Sequence, residues 1–398
     1  MRGRFRERLA PPARGARRRG TSLAAIAEIK RRSPSAGELR ADADPASLAR
    51  AFERAGAAAV SVLVEERFGG SFDDLRSARS ATSLPLLAKG FFRERAQLET
   101  ARGAGADAVL LLLRDLDDGG AARLLADAAA LGLDCLVEAH DEGELERADA
   151  LGAEIVGVNA RDLDTFEVDR RRQLELVAKA RKSGRLDGAV IVAESGIENR
   201  AQGAAAELAG ADAILVGSAL MRAPSPADKL ADLLARPLVK VCGLTRGEDV
   251  AAAAAAGADL AGFVLAESPR RAAAPLSVPP TMLSVAVLVG GAEDVGTDLV
   301  QLYALENGHR ARDGVLLWGG EEVARVLDLP WLGDDPGHWR RAAHRAGRVV
   351  LAGGLSPENV REAIETVKPW CVDASRSLER APGSKDHDLI RAFVEAAR

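Results

Sequence analysis

One phrase recurs along the chain and constrains it more than any other feature: Gly-Ala, then an acid or alanine, then at once an apolar run rich in β-branched residues. It occurs at Gly56 (GAAAVSVLV), Gly105 (GADAVLLLL), Gly152 (GAEIVGVN), Gly210 (GADAILVG) and Gly257 (GADLAGFVL), at intervals of 49, 47, 58 and 47 residues. Each glycine ends an Ala-rich helical stretch, where a left-handed stop is needed, and a buried strand follows. Each interval is long enough for two strand–helix units. That alternation predicts a parallel sheet covered by helices.

Counting the runs makes the prediction specific. The first part holds eight, at 24–30, 59–64, 85–89, 108–113, 133–139, 154–159, 189–195 and 213–218. Eight parallel strands in this length is the arithmetic of a (β/α)8 TIM barrel. The competing doubly wound sheet calls for GxGxxG or GxxxxGK[ST] after its first strand, and neither is present. The pattern restarts after Pro237, with runs at 238–243, 260–265, 283–289, 299–303, 314–318, 324–328, 348–354 and 371–375. This half is short for a barrel, and its connections at 271–282 and 304–313 have no room for full helices. The expected fold is α/β, two tandem (β/α)8 barrels with the C-terminal one shortened. The expected boundaries are a basic segment at 1–20 and domains at 21–235 and 236–398.

At 398 residues two or three domains are anticipated. The net charge of −5 offers no field for nucleic acid or an anionic membrane. Three distant cysteines, Cys135, Cys242 and Cys371, lack CxxC spacing and fit a reducing cytoplasm better than a disulfide framework or a zinc ribbon. The five histidines show no metal-binding spacing, so neither a metal nor a cofactor is called for. Residues 1–20 carry eight Arg and one Glu. They read as a solvated, disordered terminus, with an organellar transit peptide as the alternative.

In a barrel the C-terminal strand ends face the active site. In the first half those ends carry Glu28, Lys30, Lys89, Glu138, Asn159, Glu194 and Ser195, then Gly217 and Ser218. Two lysines and three glutamates converging on one rim supply a cationic acid beside carboxylate bases, the pairing that general acid–base catalysis needs. The small residues of ESGI (194–197) and VGSAL (216–220) sit where the last two loops of such barrels hold a phosphate.

The phrases AEIKRRSPSAGEL (27–39), SVLVEERFGGSFDDL (61–75), LLAKGF (86–91), LVEAHDEGEL (136–145), VNARDL (158–163), AESGI (193–197) and ILVGSALM (214–221) resemble the indole-3-glycerol-phosphate synthase family. That family closes an indole ring on 1-(o-carboxyphenylamino)-1-deoxyribulose 5-phosphate, releasing carbon dioxide and water. The resemblance implies Lys89 as general acid on the substrate carbonyl and Glu138 with Lys30 in the later dehydration. Glu28, Asn159 and Glu194 would orient the anthranilate part. Ser33, Ser195, Gly196, Gly217 and Ser218 would lie near carboxylate or phosphate. Where the family reads Lys-Asp-Phe, this chain has Lys89-Gly90-Phe91, which removes a carboxylate and predicts a looser loop. Few residues precede the first strand, so the family's N-terminal cap helix is expected to be shortened or altered.

The second half resembles phosphoribosylanthranilate isomerase through VKVCGLTRGEDV (239–250), ESPR (267–270), VQLY (300–303), LAGGLSPENV (351–360) and VDASRSLERAPGSKD (372–386). That family performs an Amadori rearrangement without cofactor. The resemblance implies Cys242 as base and Asp328 as acid. It also places Arg270, Gly353, Gly354, Asp373, Ser375 and Arg376 against the substrate and its phosphate. Lys240 and Arg270 beside Cys242 predict a lowered thiol pKa. The family's Gln-Leu-His-Gly reads Gln301-Leu302-Tyr303-Ala304, its glycine-rich stretch after the acid reads WLGDDPGHW (331–339), and its Ser-Ser-Gly reads Ser375-Arg376-Ser377. Arg376 is read either as a phosphate ligand or as a solvated rim residue.

The reading is therefore a monomeric cytoplasmic fusion acting at consecutive steps of tryptophan biosynthesis on small phosphorylated, anthranilate-derived substrates, without nucleic-acid or membrane partners. Two alternatives stand beside it: a synthase with a non-catalytic second barrel, and a different phosphosugar barrel enzyme, an epimerase or a flavin-binding oxidoreductase.

Overall fold

The computed structural model of the chain describes residues 3–10, 23–33, 37–162, 165–184, 186–329, 335 and 337–398. Contacts divide it into two compact units. The first is formed by described parts of Met1–Pro11 with Leu23–Glu198 and Ala209–Leu234. The second takes Asn199–Leu208 together with Ala235–Arg398.

The first unit is a closed barrel of eight strands, all paired in parallel: β1 (Ala24–Ile29), β2 (Ala59–Leu63), β3 (Leu86–Lys89), β4 (Ala108–Leu112), β5 (Asp134–Ala139), β6 (Ile155–Asn159), β7 (Val190–Glu194) and β8 (Ala213–Val216). Each coincides with an expected run to within one or two residues. The recurrent glycines do what the phrase implied: all five adopt positive φ, from 68° at Gly152 to 112° at Gly210. Register places the functional strand ends side by side, with Leu63 opposite Lys89, Leu112 opposite Glu138 and Asn159 opposite Glu194. Ile26, Leu87, Leu110, Leu136, Val192 and Leu215 fill the interior in one buried cluster.

The N-terminal segment departs from the expectation of a solvated terminus. Arg4–Leu9 forms a helix whose Phe5 and Leu9 are fully buried in that same cluster. Asp134 at the start of β5 accepts the Phe5 and Arg6 backbone N–H groups, each at 3.0 Å. The Arg6 guanidinium donates to the Gly188 carbonyl. The arginine-rich composition hid an apolar pair at i, i+4, which is one helical face. The helix spans six residues. Residues 1–2 and 11–20 lie outside the described residues.

The second unit closes a barrel of β9 (Leu238–Cys242), β10 (Leu260–Val264), β11 (Leu283–Val289), β12 (Leu299–Glu306), β13 (His309–Trp318), β14 (Glu321–Leu327), β15 (Val349–Leu351) and β16 (Cys371–Ala374). It is not all-parallel: β13 runs antiparallel to both β12 and β14. Asn307 and Gly308 (φ 52° and 79°) turn β12 into β13, and Gly319 and Gly320 (φ 52° and 82°) turn β13 into β14. Positive φ at both central residues makes a two-residue hairpin, and such a turn has no room for a crossover helix. No helix is described between β10 and β11 or between β11 and β12 either. The shortening therefore comes from lost helices, with eight strands kept. Glu207, buried within this unit, accepts from Arg236 at 2.9 Å, Arg348 at 3.0 Å and Trp370 at 3.2 Å.

Candidate active sites in the two barrels

In the first barrel a cavity of about 570 Å³ opens at the C-terminal strand ends. Glu28, Lys30, Ser33, Lys89, Glu138, Asn159, Ser195, Gly196, Gly217 and Ser218 all line it. Lys89 is the hub. Its Nζ lies 2.6 Å from Glu194 Oε2, 3.6 Å from Glu28 Oε2 and 3.8 Å from Glu138 Oε2. Lys30 Nζ pairs with Glu28 Oε1 at 2.7 Å, and Asn159 Nδ2 donates to Glu138 Oε1 at 2.9 Å. Two glycines make room for the carboxylates. A Cβ on Gly157 would stand 2.0 Å from Glu194 Oε1, and one on Gly217 would stand 2.3 Å from Glu28 Oε1.

Burial and charge set the protonation pattern. Burial works against the charge of Lys89, but Glu194, Glu28 and Glu138 together raise its pKa well above the ordinary lysine range. Burial pushes Glu28 up, yet Lys30 and Lys89 outweigh it and hold the carboxyl below its usual value. Glu138 is also buried, and His140, Lys89 and Asn159 bring it down to about 2. Glu194 goes the other way. Burial, aided by the neighbouring Glu138 and Glu28 charges, pushes it up to about 7 despite Lys89. The site thus keeps two carboxylates ionised and one poised near neutrality around the Lys89 ammonium, with Lys30 beside Glu28.

Residues beyond the sequence-derived set share this cavity. Arg161, Arg170, Phe91 and Phe166 line it, and His140 stands behind it, 3.1 Å from both Glu138 Oε1 and Glu144 Oε2. Arg161 and His140 sit within phrases already singled out, two residues after Asn159 and Glu138, where the strand passes into the loop. The loop at Gly90 is held more firmly than its sequence implied. Glu65 Oε1 accepts the Phe91 N–H at 2.9 Å and lies 2.9 Å from where a Cβ on residue 90 would be. A carboxylate reaches this loop from the loop that follows the neighbouring strand β2.

The second barrel carries a cavity of about 830 Å³ lined by Cys242, Arg270, Asp328, Gly353, Gly354, Asp373, Ser375 and Arg376, with Tyr303 and Arg310. Gln301 Nε2 donates to the Tyr303 hydroxyl at 2.7 Å, and that hydroxyl donates to Asp328 Oδ2 at 3.2 Å. Arg310 meets the same Asp328 oxygen at 3.0 Å. The lowered thiol pKa expected at Cys242 is corrected: burial pushes it up, with Lys240 opposing. Each of the two cations counted on to lower it also has a carboxylate partner. Lys240 Nζ lies 2.7 Å from Asp373 Oδ2, and Glu379 grips the Arg270 guanidinium at 2.8–2.9 Å. Of the stretch 331–339, only Asp335 and residues 337–339 are described.

Among the described residues, no group of three His, Cys, Asp or Glu side chains could hold a metal ion, and no helix is long and apolar enough to cross a membrane.

A family model of indole-3-glycerol phosphate synthase matches residues 7–233. The chain belongs to that family. An indole-3-glycerol phosphate synthase of Micrococcus luteus is 47% identical over 217 residues, covering 54% of this chain and 79% of that synthase. A second family model, N-(5'phosphoribosyl)anthranilate isomerase, matches residues 338–396, so this synthase chain carries an isomerase-family segment as well. A multifunctional tryptophan biosynthesis protein of Phycomyces blakesleeanus is 31% identical over an aligned length of 501, covering 98% of this chain and 65% of its own. Among solved structures, TrpF from Jonesia denitrificans matches 41% of the chain and 97% of itself at 31% identity, with a TM-score of 0.33.

Proposed function

We propose that the chain is a bifunctional enzyme of tryptophan biosynthesis. The second barrel isomerises N-(5-phosphoribosyl)anthranilate to 1-(o-carboxyphenylamino)-1-deoxyribulose 5-phosphate. The first converts that product to indole-3-glycerol phosphate with loss of carbon dioxide and water. The observation that carries the reading is the convergence of Glu28, Glu138 and the fully buried Glu194 on Lys89, which with Glu28 and Glu138 lines one cavity in a chain of the synthase family.

In the synthase, Lys89 gives its proton to the carbonyl oxygen of the deoxyribulose as the anthranilate ring carbon attacks. Carbon dioxide leaves from that ring carbon. Glu138 and Lys30 then serve the dehydration, one accepting a proton while the other assists the departing hydroxyl. Glu28, Asn159 and Glu194 orient the anthranilate part, and Ser33, Ser195, Gly196, Gly217 and Ser218 hold carboxylate or phosphate. In the isomerase, Asp328 protonates the ribose ring oxygen as its bond to C1 breaks, Cys242 takes the proton from C2, and a proton added at C1 completes the ketone as the C2 hydroxyl loses its own. Gly353, Gly354, Ser375 and Arg376 face the phosphate, and Asp373 holds Lys240 beneath the thiol. The free thiols of Cys135, Cys242 and Cys371 support a cytoplasmic setting. We read the enzyme as a monomer with one site in each barrel, a point sedimentation tests.

Single-site variants assayed for both reactions test the assignment. Lys89→Ala should cut ring closure by about 10²–10⁴-fold and spare the isomerase. Cys242→Ala should do the reverse. Turnover unchanged in either variant removes that residue from its role.

A further inference from the structure

We propose that His140, held by Glu144, is a positioning residue of the synthase: it keeps Glu138 a carboxylate and fixes its aim for the dehydration step. This rests on the reading of Glu138 above and assigns the group that stands behind it.

Three carboxylates crowd Lys89, and one ammonium does not serve them equally. Its Nζ is 2.6 Å from Glu194 but 3.8 Å from Glu138, the longest of the three contacts. Glu138 is 2% exposed, so a charge there needs a nearer cation. Glu28 meets the same need with Lys30 at 2.7 Å. For Glu138 the place is taken by His140, whose Nε2 lies 3.1 Å from Oε1. The outcome separates the carboxylates. Burial pushes Glu194, with Lys89 as its cation, up to about 7, while Glu138 stays ionised against the same burial.

His140 is itself fixed from behind. Its Nδ1 faces Glu144 Oε2 at 3.1 Å, and the same oxygen accepts the His140 backbone N–H at 2.8 Å. One carboxylate therefore sets both ring and main chain. Glu144 is placed by its own turn, where Asp141 caps the helix Glu142–Ala150 and accepts the Glu144 N–H at 2.8 Å. A carboxylate at each ring nitrogen favours the imidazolium, which has a proton for both. The other groups facing Glu138 are Asn159 of β6, which donates to Oε1 at 2.9 Å, Lys89 of β3, and the Glu194 charge on β7. Asn159 and His140 thus occupy Oε1 and leave Oε2 on the Lys89 side. In the dehydration the hydroxyl on the former carbonyl carbon leaves with a donated proton as water, and the ring gives up a proton. Glu138 can accept that proton only as a carboxylate held in place.

The test is a single-turnover quench experiment on the full-length chain with carboxyphenylamino-deoxyribulose phosphate. It follows the substrate, the ring-closed intermediate that still carries its hydroxyl, and indole-3-glycerol phosphate. Glu138→Gln should close the ring and accumulate the intermediate. His140→Asn should do the same, consuming substrate within severalfold of the wild-type rate but forming product about tenfold or more slowly. His140→Gln, which returns an N–H towards Glu138 without the charge, should recover part of the loss. Glu144→Gln, which leaves β5 untouched, should shift the balance in the same direction more weakly. A merely structural role would slow both steps together. Equal slowing of both steps in His140→Asn and Glu144→Gln, or no intermediate in them where Glu138→Gln shows it, overturns the proposal. A Glu138→Gln enzyme that accumulates nothing overturns the dehydration reading, and this inference with it.

Discussion

Lys89 Nζ lies 2.6 Å from Glu194 Oε2, and the space for that carboxylate exists because residue 157 has no side chain. Gly157→Ala would set a Cβ 2.0 Å from Glu194 Oε1 and drive the carboxylate off its lysine. Misplacement on the scale of 1 Å costs about 10²-fold in rate, so synthase kcat should fall by roughly that factor while isomerase turnover holds. Steady-state assays of both reactions check it; a synthase rate within severalfold of wild type would show that the Glu194 position is not needed.

Isomerase activity should climb with pH. Burial holds the Cys242 thiol above its ordinary value of 9.0, so the thiolate fraction, and with it the base, grows through the neutral and alkaline range. The kcat/KM profile should rise with a slope of about one per pH unit between about pH 7 and 9. A flat profile over that range would remove the thiolate from the rate-determining proton transfer.

His140 ties stability to pH. Burial lowers its pKa, but Glu138 and Glu144 more than compensate and bring it to about 10, against an ordinary 6.5. A folded-state value above the unfolded one means stability fully present below pH 6.5 and lost as pH rises towards 10. The Tm deficit of His140→Asn should therefore be larger at acidic than at strongly alkaline pH. Calorimetry across that window measures it, and a deficit independent of pH would deny the imidazolium.

The N-terminal helix is part of the first barrel's core. Phe5 is 0% exposed at the barrel interior. Phe5→Ala should cost about 3–5 kcal/mol and speed heat inactivation of the synthase, the usual consequence of emptying a large buried site. Wild-type inactivation kinetics would mean that the segment merely rests on the barrel.

The first barrel was legible because one signal repeats. Its strands are continuous apolar runs, its glycines stop helices at fixed intervals, and its charged strand ends fall where a parallel barrel puts them. In the second, the short connections at 271–282 and 304–313 announce lost helices, but the count of eight apolar runs does not by itself show that one strand is reversed. Asn307-Gly308 and Gly319-Gly320 are strong hairpin signals, and they reverse β13. That reversal is what brings Arg310 to Asp328, so Arg310 went unnoticed with it. Residues 3–10 were hidden by arginine content, which outweighed Phe5 and Leu9 in a composition argument. The raised Cys242 thiol is not legible for another reason: the neighbouring cations stand in the sequence, but the burial that outweighs Lys240, and the Asp373 carboxylate that adds to it, come from the folded barrel.

The measurement that bears most directly on the account uses the purified chain with freshly made phosphoribosylanthranilate. Its fluorescence is followed together with indole-3-glycerol phosphate, and carboxyphenylamino-deoxyribulose phosphate alone is run in parallel. The account predicts product from both. Product from the second compound only would leave the synthase standing and contradict the isomerase; product from neither would contradict the whole account.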